Sequence, residues 1–128
     1  MILLDTCALI WLVQTPEVMT SVAHDAISDN VGCLFVSAIS AFEIALKTKN
    51  KGLELPMHPK QWFSMALRLH GLREMPISAS IAADAALLPE IHRDPFDRII
   101  IATALAHRLA VVTSDKNICK YPGIDVLW

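Results

Sequence analysis

The sequence predicts an α/β fold, a mainly parallel sheet with helices covering both faces. Three observations predict it. Short apolar runs of strand length recur along the 128 residues and alternate with segments whose apolar positions repeat at helical spacing. The stretches between successive runs are long enough to hold a crossover helix, which parallel strands require. No internal repeat or linker divides the chain, so residues 1 to 128 read as a single domain with one core.

Met1 to Leu4 is a short apolar run that ends at Asp5, and the helix-compatible TCALIWLV follows. Thr20 to Asp29 carries Val22, Ala23, Ala26 and Ile27 at helical spacing, and Asn30 to Gly32 breaks it. Cys33 to Ser37 is the second strand, followed by a helix from Ala41 to about Lys49. Pro59 to His70 has a broad apolar face in Trp62, Phe63, Ala66, Leu67 and Leu69, and Gly71 ends it. Met75 to Ser78 is a strand candidate, and Ala79 to Leu88 an alanine-rich helix stopped by Pro89. Phe96 to His107 is apolar nearly all round and therefore a buried helix. Leu109 to Thr113 is β-branched and extended, and Ile124 to Trp128 forms a last strand after the Tyr-Pro-Gly turn.

Composition removes several classes of function. Apolar residues make up 54% of the chain, but no apolar run approaches the roughly 20 residues of a spanning helix. Asp5 interrupts the first apolar run at once and no basic segment precedes it, unlike a secretory signal. The expectation is a soluble, cytoplasmic protein. Cys7, Cys33 and Cys119 are odd in number and lack a CxxC pair, so they read as reduced packing residues. A net charge of −2 gives no general attraction for polyanions, so any such substrate must meet local basic groups or a bound cation.

Four acids sit where sheets of this class gather their ligands, at the carboxyl ends of strands. Asp5 closes the first strand, Glu43 lies in the first turn of the helix after the second, Asp97 opens the buried helix, and Asp115 follows the fourth strand. Each alone has a structural explanation. Ser40-Ala-Phe-Glu43 has the form of a capping box, Asp94-Pro95-Phe96-Asp97 offers a cap with proline at the first helical position, and Asp5 and Asp115 can cap the turns after their strands. Caps do not explain why all converge on one sheet edge, nor why Glu43 projects toward the core-facing stripe. Carboxylates gathered within a few ångströms repel one another unless a cation neutralises them. With no histidine or cysteine at ligand spacing beside them, the donors are oxygen and the cation expected is Mg²⁺ or Mn²⁺. Such a cation activates water and polarises phosphoryl oxygens, which suits phosphodiester hydrolysis.

The segments LLDT (Leu3 to Thr6), SAISAFEIALK (Ser37 to Lys47), HRDPFDRIIIATA (His92 to Ala104), VVTSD (Val111 to Asp115) and the closing YPGIDVLW together resemble PIN-domain ribonucleases, most of all the VapC-type toxins of bacterial toxin-antitoxin pairs. The resemblance runs in order over nearly the whole chain. It implies a three-layer α/β/α fold of strand order 3-2-1-4-5, divalent-metal-dependent endonuclease activity on RNA that leaves 5′-phosphate and 3′-hydroxyl ends, inhibition by a cognate antitoxin, and a homodimer. Residue by residue, the acids of the family fall on Asp5, Glu43, Asp97 and Asp115. Asp94 matches a further acid, either a helix cap or an additional metal ligand. Thr6 and Thr113 match hydroxyl positions that hold a carboxylate or a water, or that meet substrate.

Arg93, Arg98 and Lys116 stand beside the acids and are candidates to meet the RNA backbone, with Lys47, Lys49 and Lys51 farther off near the end of the Glu43 helix. His92 reads as structural, since water activated by a cation needs no separate histidine base. Trp11, Trp62 and Trp128 read as core or interface residues. Two other readings compete. An aspartyl-phosphate domain would use Asp5 as nucleophile, but a haloacid-dehalogenase motif needs an aspartate where Cys7 stands. A degenerate scaffold that only binds RNA or a partner would keep the fold without the chemistry.

Overall fold

The structure, a computed structural model, describes residues 1–128. Five strands form one all-parallel sheet in the order β3-β2-β1-β4-β5. They are β1 (Ile2–Leu4), β2 (Leu34–Ser37), β3 (Leu72–Met75), β4 (Ala110–Val112) and β5 (Val126–Leu127). Six α-helices connect them: α1 (Thr6–Gln14), α2 (Ser21–Asp29), α3 (Ala38–Lys49), α4 (Pro59–His70), α5 (Ala79–Leu87) and α6 (Pro95–His107). Single 3₁₀ turns at Pro16–Val18 and Ile118–Lys120 complete the path. No helix is long and apolar enough to cross a membrane.

β1 is central and completely buried, as a parallel strand with helices on both sides must be. Its residues alternate between two cores. Ile2 and Leu4 join Leu34, Val36 and Val112 against α1, α2 and α4, where Trp62 and Ala66 are fully enclosed. Leu3 points the other way, with Val111, onto Ile100 and Ala104 of α6. Helix α6 in turn carries α5, through Ala102 against Ile81 and Ala85. The chain adds β2 and β3 on one side of β1 and then returns to add β4 and β5 on the other. The order therefore reverses beside β1, and the carboxyl ends of β1 and β4 flank that switch point.

Three expectations need correction. The third strand is Leu72–Met75, not Met75 to Ser78. It lies at the edge of the sheet, so Arg73 and Glu74 remain exposed and the strand carries no apolar run to betray it. Pro76, inside the expected run, has no N–H to donate to a ladder. Helix α3 starts at Ala38, with the Ser37 hydroxyl accepting from Ile39 N, so Ser40 and Glu43 form no capping box and Glu43 sits in the second turn. The last strand is only Val126–Leu127. Elsewhere the local signals match: α4 stops at Gly71 in the left-handed region (φ 64°), and Asp94 caps α6 ahead of Pro95.

Candidate active site

Asp5 leaves β1 and becomes the N-cap of α1. Its backbone N–H still donates to Val112 O at 3.1 Å, which continues the β1–β4 ladder and sets Thr113 beside it. Oδ1 accepts from Ala8 N at 2.7 Å, and the buried Thr113 hydroxyl donates to Oδ2. Only 5% of Asp5 is exposed. Burial pushes its carboxyl up to about 6 against those hydrogen bonds, and the charges of Glu43 and Asp115 push the same way.

Glu43 reaches the same region from α3. Its Oε2 lies 3.9 Å from Lys47 Nζ one turn on, while Oε1 is buried with no hydrogen-bond partner at all. The helix is tied to α1 beneath it, because the buried hydroxyls of Ser40 and Thr6 meet at 2.9 Å. Asp115 follows β4; its N–H donates to Thr113 Oγ1 at 3.0 Å and its Oδ1 accepts from Asn117 N at 2.8 Å. Thr113 thus bridges two of the acids.

Asp97 stands in the first turn of α6. Burial pushes its carboxyl up to about 8, and the charges of Asp94, Asp115 and Asp5 add to that. Its Oδ2 lies 3.3 Å from His92 Nε2. His92, Asp97 and Asp115 each offer one ligand atom within a common span of 4.8 Å. Asp5 and Glu43 lie outside that group of three but couple to it electrostatically, Glu43 through Asp5, and Asp5 through both Asp97 and Asp115.

The donor set fits a hard divalent cation. Mutual repulsion and the partnerless Glu43 oxygen both make the cluster costly as bare carboxylates, and bound divalent charge would offset that cost. The neighbouring thiol offers no competing chemistry, since burial and then Asp5 push Cys7 up to about 11, far from a thiolate.

Other sequence-predicted residues take different places. Arg98, expected to meet RNA, is buried: its guanidinium donates to the carbonyls of Ala85, Ala86, Leu88, Pro89 and His92. It closes the carboxyl end of α5 and fixes the loop before α6. Thr6 and Thr113 are also buried, at 2% and 1% exposure, with their hydroxyls engaged by Ser40 and Asp5. Asp94 Oδ1 is committed to the N–H groups of Phe96 and Asp97 at 2.9 and 3.3 Å. Arg93 and Lys116 are exposed. Trp62 is a core residue, and Trp11 packs on Trp128 with ring centroids 5.3 Å apart. Sequence reasoning missed Tyr121, which is buried with its Oη 2.6 Å from His92 Nδ1, and undervalued His92 itself. The compact HRDPFD segment was the available signal, since it brings a histidine five residues from an acid already in the cluster.

The PIN domain profile matches residues 2–124. The chain belongs to the PIN-domain family. Within it the likeness is to VapC proteins: Ribonuclease VapC22 of Mycobacterium tuberculosis is 34% identical over 130 residues, covering 99% of this chain and 98% of that protein. A toxin-antitoxin complex from Klebsiella pneumoniae contains a chain 28% identical, with TM-score 0.67 over 97% of this PIN domain and 95% of that chain. The DNA-bound VapBC of Salmonella typhimurium, at 19% identity, shares the fold with TM-score 0.69 over 98% of this PIN domain and 97% of that chain. The expected strand order and three-layer architecture are those of the structure.

Proposed function

We propose that this PIN domain is a Mg²⁺- or Mn²⁺-dependent endoribonuclease, the cytoplasmic toxin of a toxin-antitoxin pair, held inactive by a cognate antitoxin. One observation carries the metal-dependent chemistry: Glu43 Oε1 is buried and partnerless, with its charge felt by Asp5 at the end of β1, beside the switch point of the sheet. The ribonuclease and antitoxin parts rest on the likeness to Ribonuclease VapC22 and to a chain of the toxin-antitoxin complex from Klebsiella pneumoniae.

Asp5, Glu43, Asp97 and Asp115 would hold the cation. When bound, it offsets charge on the phosphoryl oxygens and makes water nucleophilic near neutral pH. The chain's own part is to keep those carboxylates in place. Thr113 fixes Asp5 through Oδ2 and Asp115 through its N–H, while the Thr6–Ser40 contact ties the helix of Glu43 to that of Asp5. Exposed Arg93 and Lys116 adjoin the acids in sequence and are the residues proposed to meet RNA phosphates. Asp5 suits an aspartyl-phosphate nucleophile poorly, since it is buried with both oxygens already accepting hydrogen bonds.

Exposed Phe42, Leu69 and Leu87, at 60%, 65% and 82%, offer apolar surface for an antitoxin or for a second copy in a homodimer. The test is to express the chain and its Asp97→Asn variant in cells and map RNA ends. Growth arrest with discrete 5′-phosphate cuts, lost on substitution, is the expected result; identical cut patterns from both chains would overturn the reading.

A further inference from the structure

His92 stands outside the four acids yet touches one of them, and its other ring nitrogen is equally occupied. Nδ1 lies 2.6 Å from Tyr121 Oη, and Nε2 3.3 Å from Asp97 Oδ2. Tyr121 comes from the far end of the chain, is 2% exposed, and packs with Ile101 and Ile118. Its oxygen also receives two N–H groups, Arg98 Nη1 at 3.5 Å and His92 N at 3.4 Å. A phenol oxygen that accepts from both sides has its own proton free to donate. Two acceptors are in reach, His92 O at 3.4 Å and His92 Nδ1 at 2.6 Å, and Nδ1 is much the nearer.

We propose that Tyr121 and His92 form a positioning pair for Asp97: Tyr121 Oη–H donates to Nδ1, the neutral ring carries its proton on Nε2, and Nε2–H donates to Asp97 Oδ2. The chain of donors starts at Arg98, whose guanidinium is itself fixed by carbonyls on α5 and the following loop. With Asp97 deprotonated, as a ligand to a cation must be, reversing the Tyr121–His92 bond in the neutral ring would aim an unprotonated Nε2 at the carboxylate, lone pair against lone pair. Asp97 is thereby held by one oxygen, and the rotation of its carboxylate toward the other acids is set. Although His92 Nε2 lies close enough to Asp97 and Asp115 to be counted with them as a ligand, a nitrogen that carries a proton has no lone pair for a cation. Hydrogen bonds of this kind orient a ligand, and removing one typically weakens metal affinity by about 10- to 100-fold.

This inference rests on the metal-dependent reading above, and Mn²⁺ alone, added to the full chain, separates the two. Free Mn²⁺ is titrated by electron paramagnetic resonance against the unsubstituted chain and against Tyr121→Phe, His92→Ala, His92→Gln and Asp97→Asn. Tyr121→Phe and His92→Ala are expected to weaken binding about tenfold, while thermal midpoints in EDTA stay above the assay temperature. His92→Gln returns an N–H donor near the Nε2 position and should recover part of the loss. Long-range ¹H–¹⁵N spectra of the metal-free chain should show His92 protonated at Nε2, and pulsed spectra of bound Mn²⁺ should show no directly coordinated nitrogen. Unchanged affinity in Tyr121→Phe and His92→Ala, with binding still lost in Asp97→Asn, overturns the positioning pair alone. A directly bound imidazole nitrogen overturns it in favour of ligation. Failure of the unsubstituted chain to bind Mn²⁺ overturns the metal reading and the pair together.

Discussion

Asp5 and Asp97 carry charges that the metal-free fold penalises. Burial pushes Asp5 from 3.8 to about 6 and Asp97 from 3.8 to about 8, so between about pH 4 and about pH 8 the folded chain binds more protons than the unfolded one. Stability must then fall as pH rises through that window. Thermal melts in EDTA are expected to show the midpoint dropping as pH rises from about 5 to about 8. Mn²⁺ selects the deprotonated cluster, so the midpoint gained on adding it should grow over the same range. A flat profile in EDTA would mean that the carboxylates are not desolvated as the structure has them. Glu43→Gln bears on the same point from the other side. Removing the charge behind the partnerless Oε1 should leave the EDTA midpoint unchanged or higher, yet sharply reduce the Mn²⁺-induced gain.

Helix α6 and the loop before it organise half of the candidate site. Asp94 caps the helix, Asp97 enters the acid cluster from its first turn, and Arg98, on the next position, reaches back to five carbonyls. Arg98→Lys keeps the charge but loses the planar fork, and a lysine cannot satisfy carbonyls spread from α5 to His92. The expected loss is about 2–3 kcal/mol in urea melts, with backbone amides of α5 and residues 88–92 the first to lose protection from hydrogen exchange. Asp94→Ala should lose only about 1 kcal/mol, the value of a helix cap; a larger fall in Mn²⁺ affinity than in stability would instead make Asp94 part of the metal site.

The same helix illustrates what local sequence can carry. Its cap, its proline at the first helical position and its apolar surround are all read within a few residues, so its start and burial are legible. Arg98 was not legible as a structural residue. Its partners are ordinary backbone carbonyls, which leave no trace in side-chain pattern, and a cation beside acids reads equally well as a substrate contact. The His92–Tyr121 contact spans 29 residues for the same reason. Edge strand β3 escaped because one-sided burial removes the apolar run by which central strands such as β1 announce themselves. In α3, Ser37 rather than Ser40 caps the helix: both serines offer the same hydroxyl, and the end of β2 at Ser37 decides which of them caps.

At the scale of the molecule, the sheet order explains why distant acids meet. β1 and β4 are parallel neighbours in register, Leu4 opposite Val112, so the residues just beyond them, Asp5 and Thr113, are neighbours too. Helix α3, leaving β2 on the opposite side of β1, delivers Glu43 to the same edge. The acids themselves were visible in sequence because strand ends and helix starts could be recognised; their convergence followed once the parallel architecture was assumed. A net charge of −2 remains unfavourable for a polyanion, so under the proposed function the cation would serve substrate binding as well as chemistry.

The most direct measurement of the proposed activity is cleavage of structured RNA by the purified chain, with Mg²⁺ or Mn²⁺ and with EDTA, alongside Glu43→Gln. Discrete cuts with 5′-phosphate ends that vanish in EDTA, and fall by about a hundredfold or more in the variant, are the predicted result. Cleavage that persists in EDTA, or that proceeds equally well in Glu43→Gln, would contradict the metal-dependent ribonuclease outright.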